Sequence, residues 1–379
     1  MNILIDNAGF VNKGSGLMVH TIINTMKTLY PGKISFAIRK KPVKGEIKKL
    51  YQYRNQKRQN LIPVIILPSF ITKRVFGFIH PKDIGLVMDA GGFRFGDSWS
   101  KLYTKKEIDF WVDFYKRQAK QGCKIIMLPQ AFGPFETKTS REFIEKVFPF
   151  FDLVFAREKQ SLQHLTDLFG KNAKIKIAPD FTNTFQPVLT EKDKRKFETF
   201  INKVCIIPNK KMITHTSREI GDGYLKLLVS LTKTINKRGH SLFFLNHEGK
   251  EDENLILEII RQSGFSSDYL TGLNASQTKY IIGKSRLCVS SRYHGLVSAL
   301  SQGVPGFCTS WSHKYQELLN DYDHDEGLIS VLEPKNGQEK ILSLLDDPGL
   351  YENVKNKILM RSKKEVQKTK EMWDEVMFF

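Results

Sequence analysis

Short apolar runs alternate with longer amphipathic stretches along most of this chain, and that alternation limits the fold more than any other feature. Asn2 to Ile5, Ile34 to Ile38, Ile62 to Leu67, Ile84 to Met88, Lys124 to Leu128, Leu153 to Phe155 and Ile175 to Ala178 read as strands. Between them Gly16 to Leu29, Ile108 to Gln121, Ser140 to Phe148 and Lys159 to Phe169 read as helices. Such repetition predicts βα units and a parallel sheet. The pattern lapses through the polar stretch Thr190 to Lys203. It restarts with strands at Val204 to Ile207, Ser241 to Leu245, Leu287 to Val289 and Gly306 to Cys308, and with helices at Gly223 to Lys237, Glu253 to Gln262 and Ala275 to Gly283. At 379 residues the chain is too long for one ordinary core. The expectation is an α/β protein with two open parallel-sheet, Rossmann-like domains facing a cleft, 1–195 and 196–379. The charged helical tail from Asn336 is expected to pack back on the first domain.

Hydrophobic content of 41% and charged content of 26% fit a folded globular chain and exclude wholesale disorder. The formal net charge of +19 is the compositional outlier and favours anionic partners. Arg39, Lys40, Lys41, Lys44, Lys48, Lys49, Arg54, Lys57 and Arg58 form one dense basic segment. A solvated lysine-rich surface explains it most simply, with peripheral contact to an anionic membrane next. No zinc-ligand spacing or basic-aromatic motif supports a nucleic-acid partner, and none is expected. Cys123, Cys205, Cys288 and Cys308 are far apart, mostly in or beside apolar runs, and read as buried small hydrophobes. Met1 to Asp6 reads as a first strand and not as a signal peptide, and no run approaches the roughly 20 apolar residues of a membrane-spanning helix. A cytoplasmic protein, in peripheral contact with the inner face of the membrane, is the expectation.

Open parallel sheets bind ligands beyond the carboxyl ends of their strands, so the residues there are the candidates. Gly91 and Gly92 follow one strand and either let backbone approach a ligand or form a tight turn. Gln130 stands in a stiff loop, Pro129 to Pro134. Arg157 suits a carboxylate or phosphate, or pairs with Glu158 on the surface. His247 is a ligand contact or a loop histidine. Arg292 and His294 share a loop that opens a helix, where unpaired N–H groups and the helix dipole favour an anion. Lys314 follows the next strand and is expected to return to the same cleft. The histidines show no HxH or HExxH spacing, and no metal site is expected.

Taken in order, these residues resemble the polysaccharide pyruvyl transferase family over most of the chain. The matching positions are Gly91, Gly92 and Asp97; Gln130, Gly133 and Pro134; Arg157, Glu158, Ser161 and Leu162; Pro179 and Asp180; His247 and Asp252; and Ser291, Arg292, His294, Gly303, Val304 and Pro305. Two departures stand out. Ser15 replaces the acid of the family's Asn-x-Gly-Asp turn, at Asn12 to Ser15, and Phe93 replaces a third glycine after Gly92. The resemblance implies a fold similar to the B-type glycosyltransferases, with the acceptor on the first domain and phosphoenolpyruvate on the second. It implies transfer of a pyruvyl group from phosphoenolpyruvate to a sugar of a cell-surface polysaccharide or its lipid-linked precursor, with no cofactor. It assigns the donor to Arg157, Arg292, His294 and Lys314, with His294 the catalytic candidate. A nucleotide-sugar glycosyltransferase of similar fold is the alternative, and a non-catalytic basic protein binding nucleic acid or membrane the second.

Overall fold

Runs such as Leu86–Asp89, Val204–Ile207 and Leu287–Ser290 are buried along their whole length. A strand takes that pattern when both faces of its sheet are covered, as in parallel sheets flanked by helices. The computed structural model describes residues 1–32, 34–39, 50–53, 68–310 and 314–378. Within them the first sheet holds β1 (Asn2–Asp6), β2 (Ser35–Ile38), β3 (Leu50–Tyr53), β4 (Phe78–Ile79), β5 (Leu86–Asp89), β6 (Lys124–Gln130), β7 (Leu153–Ala156) and β8 (Ile175–Ile177). Their spatial order is β4-β3-β2-β1-β5-β6-β7-β8, and every pairing is parallel. Successive side chains divide between two cores. Val87, Ile125 and Met127 meet Phe114 and Phe143 on one face, while Met88, Leu128 and Phe155 meet Val19 and Trp373 on the other.

The second sheet holds β9 (Val204–Ile207), β10 (Leu242–Leu245), β11 (Asp268–Leu270), β12 (Leu287–Ser290) and β13 (Gly306–Phe307), in the order β11-β10-β9-β12-β13 and again parallel. Two of its helices start on well-formed side-chain caps. Ser217 accepts from Ile220 N–H, and Asn274 and Gln277 form a capping box.

Contacts divide the chain into one unit of 1–10, 18–181 and 369–379 and a second of 11–17 and 182–368. The division therefore falls at Phe181 and not at residue 195. Phe181 packs edge-on against Trp373, with ring centroids 5.9 Å apart, whereas Leu189, Phe197 and Phe200 pack with the second sheet's Cys205 and Phe243. The chain's last turns, with Trp373, belong to the first unit's core.

Several sequence expectations need correcting. Gln130 ends a strand and does not sit in a loop, because β6 continues through Pro129 with a register irregularity between Met127 and Gln130. Strands β3, β4 and β11 were not expected, since none has a continuous buried run of ordinary length. The expected strand at Ile62 to Leu67, and every member of the basic segment except Arg39, lie outside the described residues. All four cysteines are buried and free.

Candidate active site

Each sheet reverses the direction in which strands are added, the first between β1 and β5 and the second between β9 and β12. In open α/β sheets the crevice for a ligand lies at such a switch point, beyond the carboxyl ends of the strands.

In the second unit β12 runs out at Ser290 and the chain turns into the helix Tyr293–Leu300. Ser290 Oγ accepts from Arg292 N–H at 3.1 Å and donates to the Arg292 carbonyl at 2.8 Å, which shapes the turn. Gly295 leaves room for it, since a Cβ there would sit 2.4 Å from Ser290 Oγ. Ser291 is anchored from behind. Its hydroxyl meets Tyr224 OH at 2.8 Å and Thr309 Oγ1 at 2.7 Å, and its carbonyl accepts from Asn209 Nδ2 at 2.9 Å and Tyr315 OH at 3.0 Å.

On this support Arg292 is buried and donates through Nη2 to Asp252 and through Nη1 to Glu248. Its Nε has no hydrogen-bond partner among the described residues. Burial lowers the Arg292 guanidinium to about 10 and lifts the Asp252 carboxyl to about 6, so the pair is ionised at neutral pH. Lys210 N–H also donates to Asp252, at 2.9 Å, and Lys211 Nζ lies 3.7 Å from Glu248.

His294 stands in the first turn of its helix, beside the first turn of the helix Lys13–Leu29. A Cβ on Gly14 would lie 2.4 Å from His294 Nδ1. His247, 2% exposed, accepts from Lys13 N–H through its carbonyl at 3.3 Å. Burial, and then Arg292, His294 and Lys13, hold its imidazole well below the ordinary value, so it is neutral. Lys314 Nζ lies 5.6 Å from the Tyr293 ring centroid, and the adjacent Tyr315 is tied to Ser291. Arg292, His294, His247 and Lys314 are thus drawn around one switch point.

In the first unit β1 and β5 end on aspartates that stand in register, Asp6 beside Asp89, both fully buried. Arg39 forks onto Asp6, with Nη2 to Oδ2 at 2.7 Å, and its guanidinium lies over the rings of Tyr53, Trp111 and Phe114. This member of the basic segment is therefore internal, drawn in by its carboxylate. Asp89 accepts from Asn7 Nδ2 at 2.6 Å, Arg94 Nη1 at 3.2 Å, Tyr115 OH at 3.1 Å and Gly91 N–H at 2.9 Å. Burial still raises its carboxyl, with Arg94 opposing and Asp6 reinforcing the shift.

Gly91 is tightly packed, since a Cβ would sit 3.0 Å from Asp89 Oδ1 and 3.1 Å from Arg94 Cβ and those side chains would have to give. Gly92 takes a positive φ of 68°. Gln130 Nε2 reaches Asp89 Oδ1 at 3.4 Å, while Gln130 Oε1 is buried with no partner among the described residues. Arg157 follows β7; its N–H donates to the Gln130 carbonyl at 3.1 Å. Its guanidinium is buried, not on the surface, with Nη1 3.4 Å from Asp180 and Nε 3.6 Å from Glu158.

At the two positions that depart from the family pattern the backbone makes local hydrogen bonds. Asn12 caps the helix Lys13–Leu29, its Oδ1 accepting from Ser15 N–H at 3.2 Å, and Phe93 N–H closes a turn onto the Gly91 carbonyl at 2.8 Å. Sequence reasoning passed over Asp6, Arg94, Glu248, Tyr224 and Tyr315. One signal was available: two apolar runs, at residues 3–5 and 86–88, each end on Asp.

No curated protein matches the chain. Among solved structures, HepE from Anabaena, in complex with UDP and glucose, superposes with a TM-score of 0.62 at 11% identity, covering 99% of each chain. A glycosyltransferase from Rickettsia africae gives 0.57 at 13% identity over 99% of this chain and 97% of that one. MnaA from S. aureus, solved with UDP, gives 0.57 at 11% over 98% and 97%. The fold is that of the GT-B glycosyltransferases and epimerases. Residues 12–313 match the family model for polysaccharide pyruvyl transferase, a span that takes in the strands β9 and β12 of the second switch point, and the chain belongs to that family.

Proposed function

We propose that the chain transfers the pyruvyl group of phosphoenolpyruvate to a sugar of a cell-surface polysaccharide or its lipid-linked precursor. The observation that carries this reading is the grouping of Arg292, His294 and Lys314 at the start of the helix Tyr293–Leu300, beside the second sheet's switch point. Phosphoenolpyruvate is a small polyanion, and that grouping offers it a planar fork, a point charge and the positive end of a helix dipole. No cofactor is needed, and the reaction belongs in the cytoplasm, against the inner face of the membrane where a lipid-linked acceptor is held.

His294 then protonates the methylene carbon, leaving positive charge on the neighbouring carbon that bears the phosphate. A sugar hydroxyl adds to that carbon and gives up its proton. The carbon–oxygen bond to phosphate breaks, and a second hydroxyl closes the cyclic ketal. Of the two hydroxyl protons, one replaces the proton spent on the methyl group and one leaves with phosphate. Arg292 and Lys314 hold the anionic donor through these steps.

The test is inorganic phosphate release from phosphoenolpyruvate with a panel of free and lipid-linked galactosides and mannosamine-containing acceptors. Acceptor-dependent release supports the proposal. Release of a nucleoside diphosphate from a sugar nucleotide, with none from phosphoenolpyruvate, makes the chain a glycosyltransferase instead.

A further inference from the structure

Among the described residues no helix is long and apolar enough to cross a membrane, yet one end of the first sheet carries large apolar side chains in solvent. The short helix Ser69–Val75 leads directly into β4 at the sheet's edge. Phe70 is 70% exposed, Val75 67% and Phe76 52%. Met1, 50% exposed, stands at the start of β1 close by, since Lys73 Nζ donates to Asn2 Oδ1 at 3.0 Å. In a parallel sheet these positions share the amino ends of the strands, opposite the carboxyl ends that hold Asp6, Asp89 and Gln130.

The charge around the patch says what covers it. Arg74 and Lys82 flank the apolar residues and are exposed, and neither is paired with a carboxylate among the described residues. Pairing the patch with its counterpart on a second copy sets these cations near their own kind. An anionic lipid surface satisfies both features, with aromatic rings entering the headgroup boundary and cations meeting phosphates.

We propose that Phe70, Val75 and Phe76, with Arg74 and Lys82, form a docking surface for an anionic membrane. This rests on the proposed function only in that a lipid-linked acceptor gives such docking a use. The surface belongs to the first unit and the residues invoked for chemistry, Arg292, His294 and Lys314, to the second, so the two can be tested separately.

The experiment is co-sedimentation of the full chain with vesicles of phosphatidylcholine alone, or of equal parts phosphatidylcholine and phosphatidylglycerol. Wild type should bind only the anionic vesicles. The double variant Phe70→Ser/Phe76→Ser should lose about tenfold in partitioning with its melting temperature unchanged, and Arg74→Glu/Lys82→Glu should lose a comparable amount. Equal binding by wild type and both variants would mean that diffuse positive charge alone drives adsorption, and overturns the proposal. So does a change from dimer to monomer on mutating the two phenylalanines, which assigns the patch to a second copy. Phosphate release from a water-soluble acceptor should be the same in wild type and both variants, which separates failure of docking from failure of the proposed chemistry.

Discussion

Arg292 faces two carboxylates before any donor arrives, and a donor anion has to compete with them. Asp252 is 1% exposed and held from behind by Lys210 N–H, so it stays as the orienting partner. The Glu248 side chain, 26% exposed, is the one able to move. Glu248→Gln is expected to lower KM for phosphoenolpyruvate several-fold with little change in kcat; a raised KM contradicts the competition. Arg292→Lys should raise KM, because a point charge does not reproduce a fork. His294→Gln should abolish phosphate release while leaving the melting temperature in place, and near-normal release from that variant removes the catalytic role.

Arg157 behaves differently. Removing its buried guanidinium takes the cation away from two buried carboxylates, Asp180 and Glu158, so Arg157→Ala should cost about 3–5 kcal/mol of stability in urea unfolding. A loss of activity with stability unchanged would show instead that Arg157 acts on substrate. His247 gives a pH signature. The unfolded chain binds that proton below about 6.5 and the folded chain does not, so this group's contribution to stability falls as pH drops through that value, by up to roughly 1.4 kcal/mol per unit. Asp252 acts in the opposite sense, its raised folded carboxyl taking up a proton first as pH falls below about 6. Wild type should therefore lose stability relative to His247→Gln between about pH 7 and 5, and a constant difference would contradict the buried neutral imidazole.

At the scale of elements, the start of the helix Lys13–Leu29 is a component of the second switch point. Alanine ordinarily favours a helix over glycine by about 1 kcal/mol, yet at Gly14 its Cβ would overlap the His294 ring. Gly14→Ala is expected to reduce turnover by displacing His294; activity equal to wild type would show that the ring position is not critical. The helix Lys159–Phe169 and the strand Val204–Ile207 were legible to the residue, because periodicity and burial agree there. Strands β3 and β11 were not, since their half-exposed residues leave no continuous apolar run. The Arg292–His294 loop was legible because strand, loop and helix adjoin in sequence. Asp252 was recognised only as a family position and not as the partner of Arg292. It sits between Glu251 and Glu253 in a helix's first turn, where acids ordinarily complement the dipole in solvent, and only the packed structure turns it inward.

At the scale of the whole molecule, two parallel sheets repeat one plan, in which polar side chains collect where the strand order reverses. In both units carboxylates and guanidinium groups answer each other, Asp6 and Asp89 with Arg39 and Arg94 in the first and Glu248 and Asp252 with Arg292 in the second. The second unit adds Lys314 and a helix start, and that addition favours placing the anionic donor there. Fold alone does not choose the chemistry, because the superposable structures include proteins solved with UDP. The most direct measurement follows carbon-labelled phosphoenolpyruvate into a sugar acceptor by mass spectrometry, alongside phosphate release, for wild type and His294→Gln. The proposal predicts labelled ketal and phosphate in equal amounts from wild type and neither from the variant. Absence of label in every acceptor, with turnover of a sugar nucleotide in its place, would contradict it.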